Sequence, residues 1–248
     1  MDDGKPNSNG VEEFDLKALL DSSYPLLKHF RDACPGTFKH SQAVVSMIEG
    51  ISLTLDLDVN EMKVMAQYHD IGKMVNPKYF TENQLNDENP HDQLDPRMSF
   101  QIITRHVSDT VMILIDDENF PKHIINKLSQ HHGTTILKYF YDVAKKNNKD
   151  VDPNSFRYAS KKPSSIEAML LMICDNIEAM SRSFLQNGNE FDPSDIIEKA
   201  ISNLMSDGQL DALTLGELRK IKEALGKELE GTYQKRVSYP DDKDKTDE

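Results

Sequence analysis

The residues of this chain that could do chemistry are histidines and aspartates on apolar helix faces. Five of the eight histidines, and two aspartates, follow apolar residues at helical steps or lie at the end of an apolar helix. Burying several neutral imidazoles and two carboxylates together is costly unless they share a cation. Imidazole nitrogen and carboxylate oxygen suit zinc, iron, manganese or cobalt. The pattern predicts a metal centre built from His40, His69, Asp70, His106, His131, His132 and Asp175.

Two adjacent pairs within this set, His69-Asp70 and His131-His132, sharpen the prediction. Neighbouring residues on a helix point about 100° apart, so each pair can reach around one ion or bridge two. The carboxylate of Asp70 has two oxygens and can hold two cations about 3.5–4 Å apart. Each residue alone also has a structural explanation, because an inward histidine is commonly hydrogen-bonded in the core and Asp175 could pair with Arg182.

Helices are the elements that must position these side chains. Thr37 is a possible helix cap, and Asn60 is predicted to open a helix that Gly72 ends. Polar loops are predicted over 76–95 and 148–163, and no alternating run is long enough to predict a strand. The fold class is therefore all-α, with one domain over 12–240 and disordered polar tails at 1–11 and 241–248. Apolar periodicity predicts helices over 12–33, 40–55, 97–107, 121–132, 136–147 and 164–186, with two or three more to about 230.

Length, charge and cysteine content limit the classes of function that this chain can have. The 248 residues carry a formal net charge of -13, which argues against binding of duplex nucleic acid because that needs a basic surface. Cys34 and Cys174 lie far apart and form neither a disulfide framework nor a cysteine-rich zinc site. No run reaches the roughly 18–20 apolar residues of a membrane span, and the acidic start is unlike a signal peptide. We expect a soluble cytoplasmic chain, or the cytoplasmic domain of a membrane protein.

The order of these motifs resembles a known enzyme family. His69-Asp70-Ile71-Gly72-Lys73 resembles the motif of the HD-domain metal-dependent phosphohydrolases, and the set with paired histidines resembles their two-metal branch, which cleaves cyclic dinucleotides. HD-GYP enzymes, which act on cyclic di-GMP, carry a Gly-Tyr-Pro element after those histidines. The string from His131 to Tyr141 lacks it and is similar to the HD domain of the seven-transmembrane-receptor HD proteins, the PgpH-type cyclic di-AMP phosphodiesterases. The resemblance runs from Pro35 to Pro240 and implies an HD-domain helical bundle.

The resemblance also implies a mechanism and a role for each site residue. A hydroxide bridging two metals would attack a phosphorus and open cyclic di-AMP to linear pApA, with Asp70 and Lys73 as catalytic residues. Iron or manganese is expected, with zinc, cobalt and nickel as alternatives. One metal would be held by His40, His69, Asp70 and Asp175, and the other by Asp70, His106, His131 and His132. The expected substrate contacts are Lys73, Tyr139, Tyr141 and Arg157.

Two departures from the family leave alternatives open. The membrane and extracellular parts of those relatives are missing, and residues 159–163 read Ala-Ser-Lys-Lys-Pro where the family has a Gly-Pro element. The expected partner is a cyclic dinucleotide, and neither a nucleic-acid polymer nor a membrane segment is expected. One alternative is another HD phosphohydrolase activity, on cyclic di-GMP or a nucleoside phosphate. The other is a sensor that binds a nucleotide without cleaving it.

Overall fold

Helices dominate the structure, a computed structural model that describes residues 14–84, 89–186 and 192–237. Within these ranges the extended pairing is one isolated bridge, between Ile136 and Arg157, so the all-α prediction is confirmed. The predicted tails at 1–11 and 241–248 lie outside the described residues. The α-helices are α1 (Leu16–Leu19), α2 (Pro25–Ala33), α3 (Pro35–Thr54), α4 (Val59–Tyr68), α5 (Pro96–Thr104), α6 (His106–Ile115), α7 (Lys122–Leu128), α8 (Lys138–Asn147), α9 (Ile166–Gln186), α10 (Pro193–Ser206) and α11 (Leu215–Val237).

Helices α3, α4 and α9 form the centre of the bundle, and α10 and α11 pack beside them. The first half of α9 is apolar on nearly every side, and its side chains from Leu170 to Cys174 are completely buried. Burying one leucine or isoleucine side chain contributes about 1.5–3 kcal/mol, so this packing holds the helices in fixed relative positions. Asp175 directly follows the buried run, and His40 lies on α3. Among the described helices, none is long and apolar enough to cross a bilayer.

Three of the five histidines of the predicted centre lie at helix ends. In each case the ring Nδ1 donates to the backbone carbonyl oxygen three residues earlier. In a continuing helix, that oxygen would instead accept from the backbone N–H of the residue after the histidine. The predicted end of α4 at Gly72 is therefore wrong, and α4 ends at Tyr68. Likewise α7 ends at Leu128 instead of residue 132, and the helix predicted over 97–107 is divided after Thr104. The bonds join His69 to Ala66 (2.8 Å), His106 to Ile103 (2.6 Å) and His131 to Leu128 (2.8 Å).

The helix starts also differ from those predicted. Asp58, not Asn60, caps α4, and its Oδ1 accepts from the backbone N–H of Asn60 at 2.9 Å. Thr37 is not a cap, because α3 begins at Pro35, whose fixed φ suits the first helical turn. The single helix predicted over 12–33 is wrong, since a turn at Asp21 separates α1 from α2. The side chain of Asp21 accepts from both donors of Ser23, and this local bonding competes with the helix.

The predicted polar loop over 76–95 lacks α-helix in its described part, as expected. It contains short 3-10 turns at Pro77–Tyr79, Thr81–Asn83 and Pro90–Gln93. The loop is fastened to α3, because the backbone N–H of Thr37 donates to Asn83 at 3.0 Å. It also packs against the candidate centre, since the ring of Phe80 lies edge-on to His106 with centroids 5.8 Å apart. The loop therefore forms one wall of that centre.

Gly72 allows the turn after α4 to lie directly against α6. Its N–H donates to Oγ1 of Thr110 at 2.9 Å, and a Cβ here would overlap the backbone of His106 and of Thr110. We expect Gly72→Ala to lower the free energy of unfolding by about 3 kcal/mol, because overpacking against backbone is hard to relieve. Urea denaturation of metal-free protein measures this loss. The control is Gly226→Ala in α11, where a Cβ meets nothing within 4 Å and stability should rise by up to about 1 kcal/mol. Equal stability of the two variants would contradict this explanation.

Candidate metal centre

The histidines and aspartates selected from the sequence meet inside the bundle. They form two groups of four, and within each group one possible ligand atom per residue lies within 4.8 Å of the others. All are buried except His132, which is partly exposed. The first group contains His40, His69, Asp70 and Asp175, and the second contains Asp70, His106, His131 and His132. Each group could hold one metal ion, and the two share Asp70.

The two carboxylate oxygens of Asp70 face different groups. Oδ1 lies 3.2 Å from Nε2 of His106 and 3.6 Å from Nε2 of His131. Oδ2 lies 3.4 Å from Nε2 of His69 and 3.6 Å from Nε2 of His40. A carboxylate presented in this way can contact two cations at once.

Hydrogen bonds on the outer side of the ring orient four of the five imidazoles. Three of them use the backbone carbonyls at the helix ends described above, and Nδ1 of His40 contacts the carboxylate of Glu178. A proton on Nδ1 leaves Nε2 with a free lone pair, which is the form that binds a metal. Nε2 of His40 accordingly faces inward and lies 3.1 Å from Oδ1 of Asp175.

Two polar atoms at the centre test whether metal ions fit these residues. Nε2 of His69 and Oδ1 of Asp70 are buried and have no hydrogen-bond partner among the described residues. Leaving a polar atom in that condition costs about 1–3 kcal/mol, and more when the group is charged. A divalent cation would satisfy both atoms, and a mixed set of imidazoles and carboxylates suits a transition metal. The residues present therefore fit metal ions.

The carboxylates of the centre are held in their charged form. Burial alone would raise the pKa of Asp70, but Lys73 and His69 hold it well below its usual range. The neighbouring rings of His40 and His69 do the same for the pKa of Asp175 against its burial. Burial alone would lower the pKa of His69, and the two carboxylates instead raise it to about 10. The space between Asp70 and Asp175 thus favours positive charge, and a cation would compete with protons for it.

The second group contains imidazoles that stay neutral. Burial lowers the pKa of His131. Burial and the neighbouring rings of His131 and His106 lower the pKa of His132 well below its usual range. Neutral imidazole is the state that ligates a metal, so these side chains need not lose a proton before binding one.

Lys73 lies beside Asp70 at the edge of the centre. Its Nζ is 2.7 Å from Oδ2 of Asp70 and 2.9 Å from Oε1 of Glu82, and it lies 5.0 Å from the ring centroid of Phe80. Glu82 is itself held by a hydrogen bond of 3.0 Å from Oγ1 of Thr37. Two carboxylates thus fix the ammonium group where it can reach a molecule bound at the centre.

The other predicted substrate contacts have different neighbours. The ring of Tyr139 contacts Phe140 and is 64% exposed. The ring of Tyr141 packs between Phe156 and Lys145. The guanidinium of Arg157 donates to Asp207 at 2.9 Å and to the carbonyl oxygen of Thr134 at 2.7 Å. In the described part of the chain, the contacts of these three side chains run to residues outside the two groups.

Arg157 therefore has a structural role that the sequence did not indicate. We expect Arg157→Met to lower the free energy of unfolding by about 1–2 kcal/mol, because it removes charged hydrogen bonds that are partly screened by solvent. Asp207→Asn removes the other partner of this ion pair. Chemical denaturation of both single variants and of the double variant gives the interaction energy between the two side chains. A variant of unchanged stability that only binds substrate more weakly would contradict this structural role.

Sequence reasoning missed three residues that contact the centre. Glu178 orients His40, Glu82 pairs with Lys73, and the ring of Tyr158 stacks on His132 with centroids 4.4 Å apart. Glu178 lies one helical turn after Asp175, and this spacing could have indicated that both side chains face the centre. Glu82 and Tyr158 lie in segments predicted as loops, where periodicity says nothing about side-chain direction.

The chain is similar in sequence to two cyclic-di-AMP phosphodiesterases of the PgpH type. Cyclic-di-AMP phosphodiesterase PgpH of Listeria monocytogenes (serotype 1/2a, strain 10403S) is 39% identical over 231 residues, which are 92% of this chain and 32% of that protein. PgpH of Bacillus subtilis (strain 168) is 36% identical over 228 residues, 91% of this chain and again 32% of that protein. The chain thus spans about a third of the length of these curated relatives.

The fold and the family model agree with these relatives. The crystal structure of the L. monocytogenes PgpH HD domain in complex with cyclic-di-AMP matches with a TM-score of 0.78 and 37% identity, covering 86% of this chain and 100% of that one. A second structure of the same HD domain matches with a TM-score of 0.76. The family model for the HD domain matches residues 37–180, which is more than half of the chain. The chain therefore belongs to the HD domain family.

Proposed function

We propose that this chain is a metal-dependent phosphodiesterase that hydrolyses cyclic di-AMP to linear pApA. The observation that carries the proposal is the position of Asp70 between two groups of possible metal ligands. The likeness to PgpH proteins along nearly the whole chain supports the choice of substrate. The matched HD domain structure that is in complex with cyclic-di-AMP supports the same choice.

We propose that the centre takes two divalent transition metal ions, iron or manganese, with zinc, cobalt and nickel as alternatives. Two such ions would supply a water of lowered pKa for attack at phosphorus and would neutralise charge on the phosphate oxygens. The first ion would be held by His40, His69, Asp70 and Asp175, and the second by Asp70, His106, His131 and His132.

The side chains around the centre would bind and orient the phosphate. An ammonium group has three N–H donors, and Asp70 and Glu82 take two of those of Lys73, so one remains for a phosphate oxygen. That donor would stabilise the charge that develops on the phosphate during attack. Tyr139 is exposed and Tyr141 is partly exposed, so both remain proposed base contacts, and Arg157 remains a proposed substrate contact whose guanidinium also pairs with Asp207.

A panel of cyclic dinucleotides tests the proposal. Metal-free protein is reconstituted with Mn²⁺ and incubated with cyclic di-AMP or cyclic di-GMP, and products are separated by chromatography. We expect cyclic di-AMP to be converted to pApA, and a chelator to stop the reaction. Preference for cyclic di-GMP would overturn the proposed substrate. Tight binding of cyclic di-AMP without turnover would favour the sensor alternative.

A further inference from the structure

We propose that Tyr158 is a positioning residue that sets the orientation of His132 for metal binding. The inference rests on the proposed two-metal centre and goes beyond it, because it assigns a role to a side chain that is not itself a ligand. It starts from a difference between His132 and the other histidines of the centre.

Within the part of the chain that the structure describes, His132 lacks the kind of hydrogen bond that orients the other four imidazoles. Those rings are each held through Nδ1, by a backbone carbonyl or by Glu178. Among the described residues, no hydrogen bond to the His132 ring is formed, and its nearest carboxylate oxygen, on Asp175, is 3.9 Å from Nδ1. A ligand that keeps its rotational freedom loses more entropy on binding a metal, so another contact must restrict this ring.

The ring of Tyr158 supplies a stacked contact on the face of His132, whose imidazole also contacts the rings of His131 and His106 with centroids 4.1 and 5.0 Å away. It lies nearly flat on the His132 imidazole, with centroids 4.4 Å apart and 28° between the planes. Its edge also meets His106 of the same group, with centroids 6.2 Å apart. Tyr158 is only 7% exposed, so its own ring is fixed by the surrounding core. A flat neighbour on one face blocks rotation of the imidazole out of its plane.

The backbone holds Tyr158 in register with His132. The N–H of Tyr158 donates to the carbonyl oxygen of Thr135 at 2.9 Å, and the N–H of Leu137 donates to that of Phe156 at 2.8 Å. These bonds join the segment that follows His132 directly to the segment that carries Tyr158. The Arg157 side chain strengthens the same junction from its other side, through Thr134 and Asp207.

The chemistry of the contact predicts which part of Tyr158 matters. Stacking depends on the aromatic ring and not on the hydroxyl group, so phenylalanine should replace it. An aliphatic side chain would fill part of the space but present no flat face. Only the second group should respond, because among the described residues the ring of Tyr158 contacts the rings of His106 and His132 and not those of His40 or His69.

Cobalt titration of the metal-free full chain tests the inference, with the visible absorption of bound Co²⁺ as the readout. We expect the wild-type protein to bind two equivalents. Tyr158→Leu and Tyr158→Met should bind one equivalent normally and the other about 10–100-fold more weakly, and Tyr158→Phe should match the wild type. Phe120→Leu removes a core ring that packs edge-on against Tyr68 and, among the described residues, makes no ring contact with a histidine of the centre, so it should leave both affinities unchanged.

Each result has a distinct meaning. Two unweakened equivalents in a folded leucine or methionine variant would overturn the role of Tyr158 and leave the centre intact. Equal weakening in Tyr158→Phe would overturn it in favour of the hydroxyl group. A wild-type chain that binds no cobalt would overturn the proposed centre and this inference together. Circular dichroism confirms folding, and the methionine variant serves if the leucine variant does not fold.

Discussion

Asp70→Ala is expected to lose both metal ions and to lower the rate of cyclic di-AMP hydrolysis by more than about 1,000-fold. The reason is that one substitution removes an oxygen from each group, since Oδ1 faces His106 and His131 while Oδ2 faces His40 and His69. Metal content by elemental analysis and initial rates with Mn²⁺ measure the two effects. Loss of one ion only would show that Asp70 serves a single site.

Two further variants make this result specific. Asp70→Asn keeps the shape of the side chain and one carbonyl oxygen, so it should retain at most one ion. Asp109→Ala removes another buried aspartate, which pairs with Arg105 at 3.2 Å and stands outside the two groups. It should keep both ions and its activity while losing some stability. A variant at Asp70 with two ions and a near-normal rate would contradict the bridging role.

Lys73→Met is expected to lower kcat about 100-fold while both ions remain bound. The lysine is not among the possible metal ligands, and its ammonium group is directed at the edge of the centre by Asp70 and Glu82. Its loss should also lower the free energy of unfolding by about 3–5 kcal/mol, because a buried carboxylate is left without its partner. Steady-state kinetics and metal analysis separate the catalytic effect from the structural one.

The double variant with Glu82→Gln removes the unpaired charge. Burial alone would raise the pKa of Glu82, and the ammonium of Lys73 instead lowers it to about 2. The stability that this pair contributes is therefore present above about pH 4.5 and is lost as the pH falls toward 2. We expect Lys73→Met/Glu82→Gln to regain most of the stability but none of the lost kcat. Loss of metal from Lys73→Met would show that the lysine supports the ions instead of the substrate.

The sequence predicted the members of the centre because helix periodicity determines which side chains face inward. His40, His106 and Asp175 each continue an apolar stripe, and the two adjacent pairs end one. The periodicity could not predict the exact helix ends. There the Nδ1 of a histidine donates to a backbone carbonyl oxygen that a continuing helix would use. The helical fold followed from the same periodicity, whereas the resemblance to HD domains rested on the motif at His69-Asp70 and the paired histidines.

The residues around the centre depend on contacts that are distant in sequence. Glu82 reaches Lys73 from a segment of 3-10 turns, and Tyr158 reaches His132 through the pairing of two irregular segments. Arg157 was expected among the substrate contacts from the resemblance, and its ion-pair partner Asp207 lies 50 residues away in the chain. Residue type alone does not distinguish an arginine that binds phosphate from one that fastens a loop.

The anomalous scattering of metal-loaded crystals, recorded on both sides of the absorption edge of the added ion, tests the two-metal centre most directly. We predict two peaks in the helical core, one among His40, His69, Asp70 and Asp175 and the other among Asp70, His106, His131 and His132, with Asp70 in contact with both. A single peak, or peaks placed away from these side chains, would contradict it.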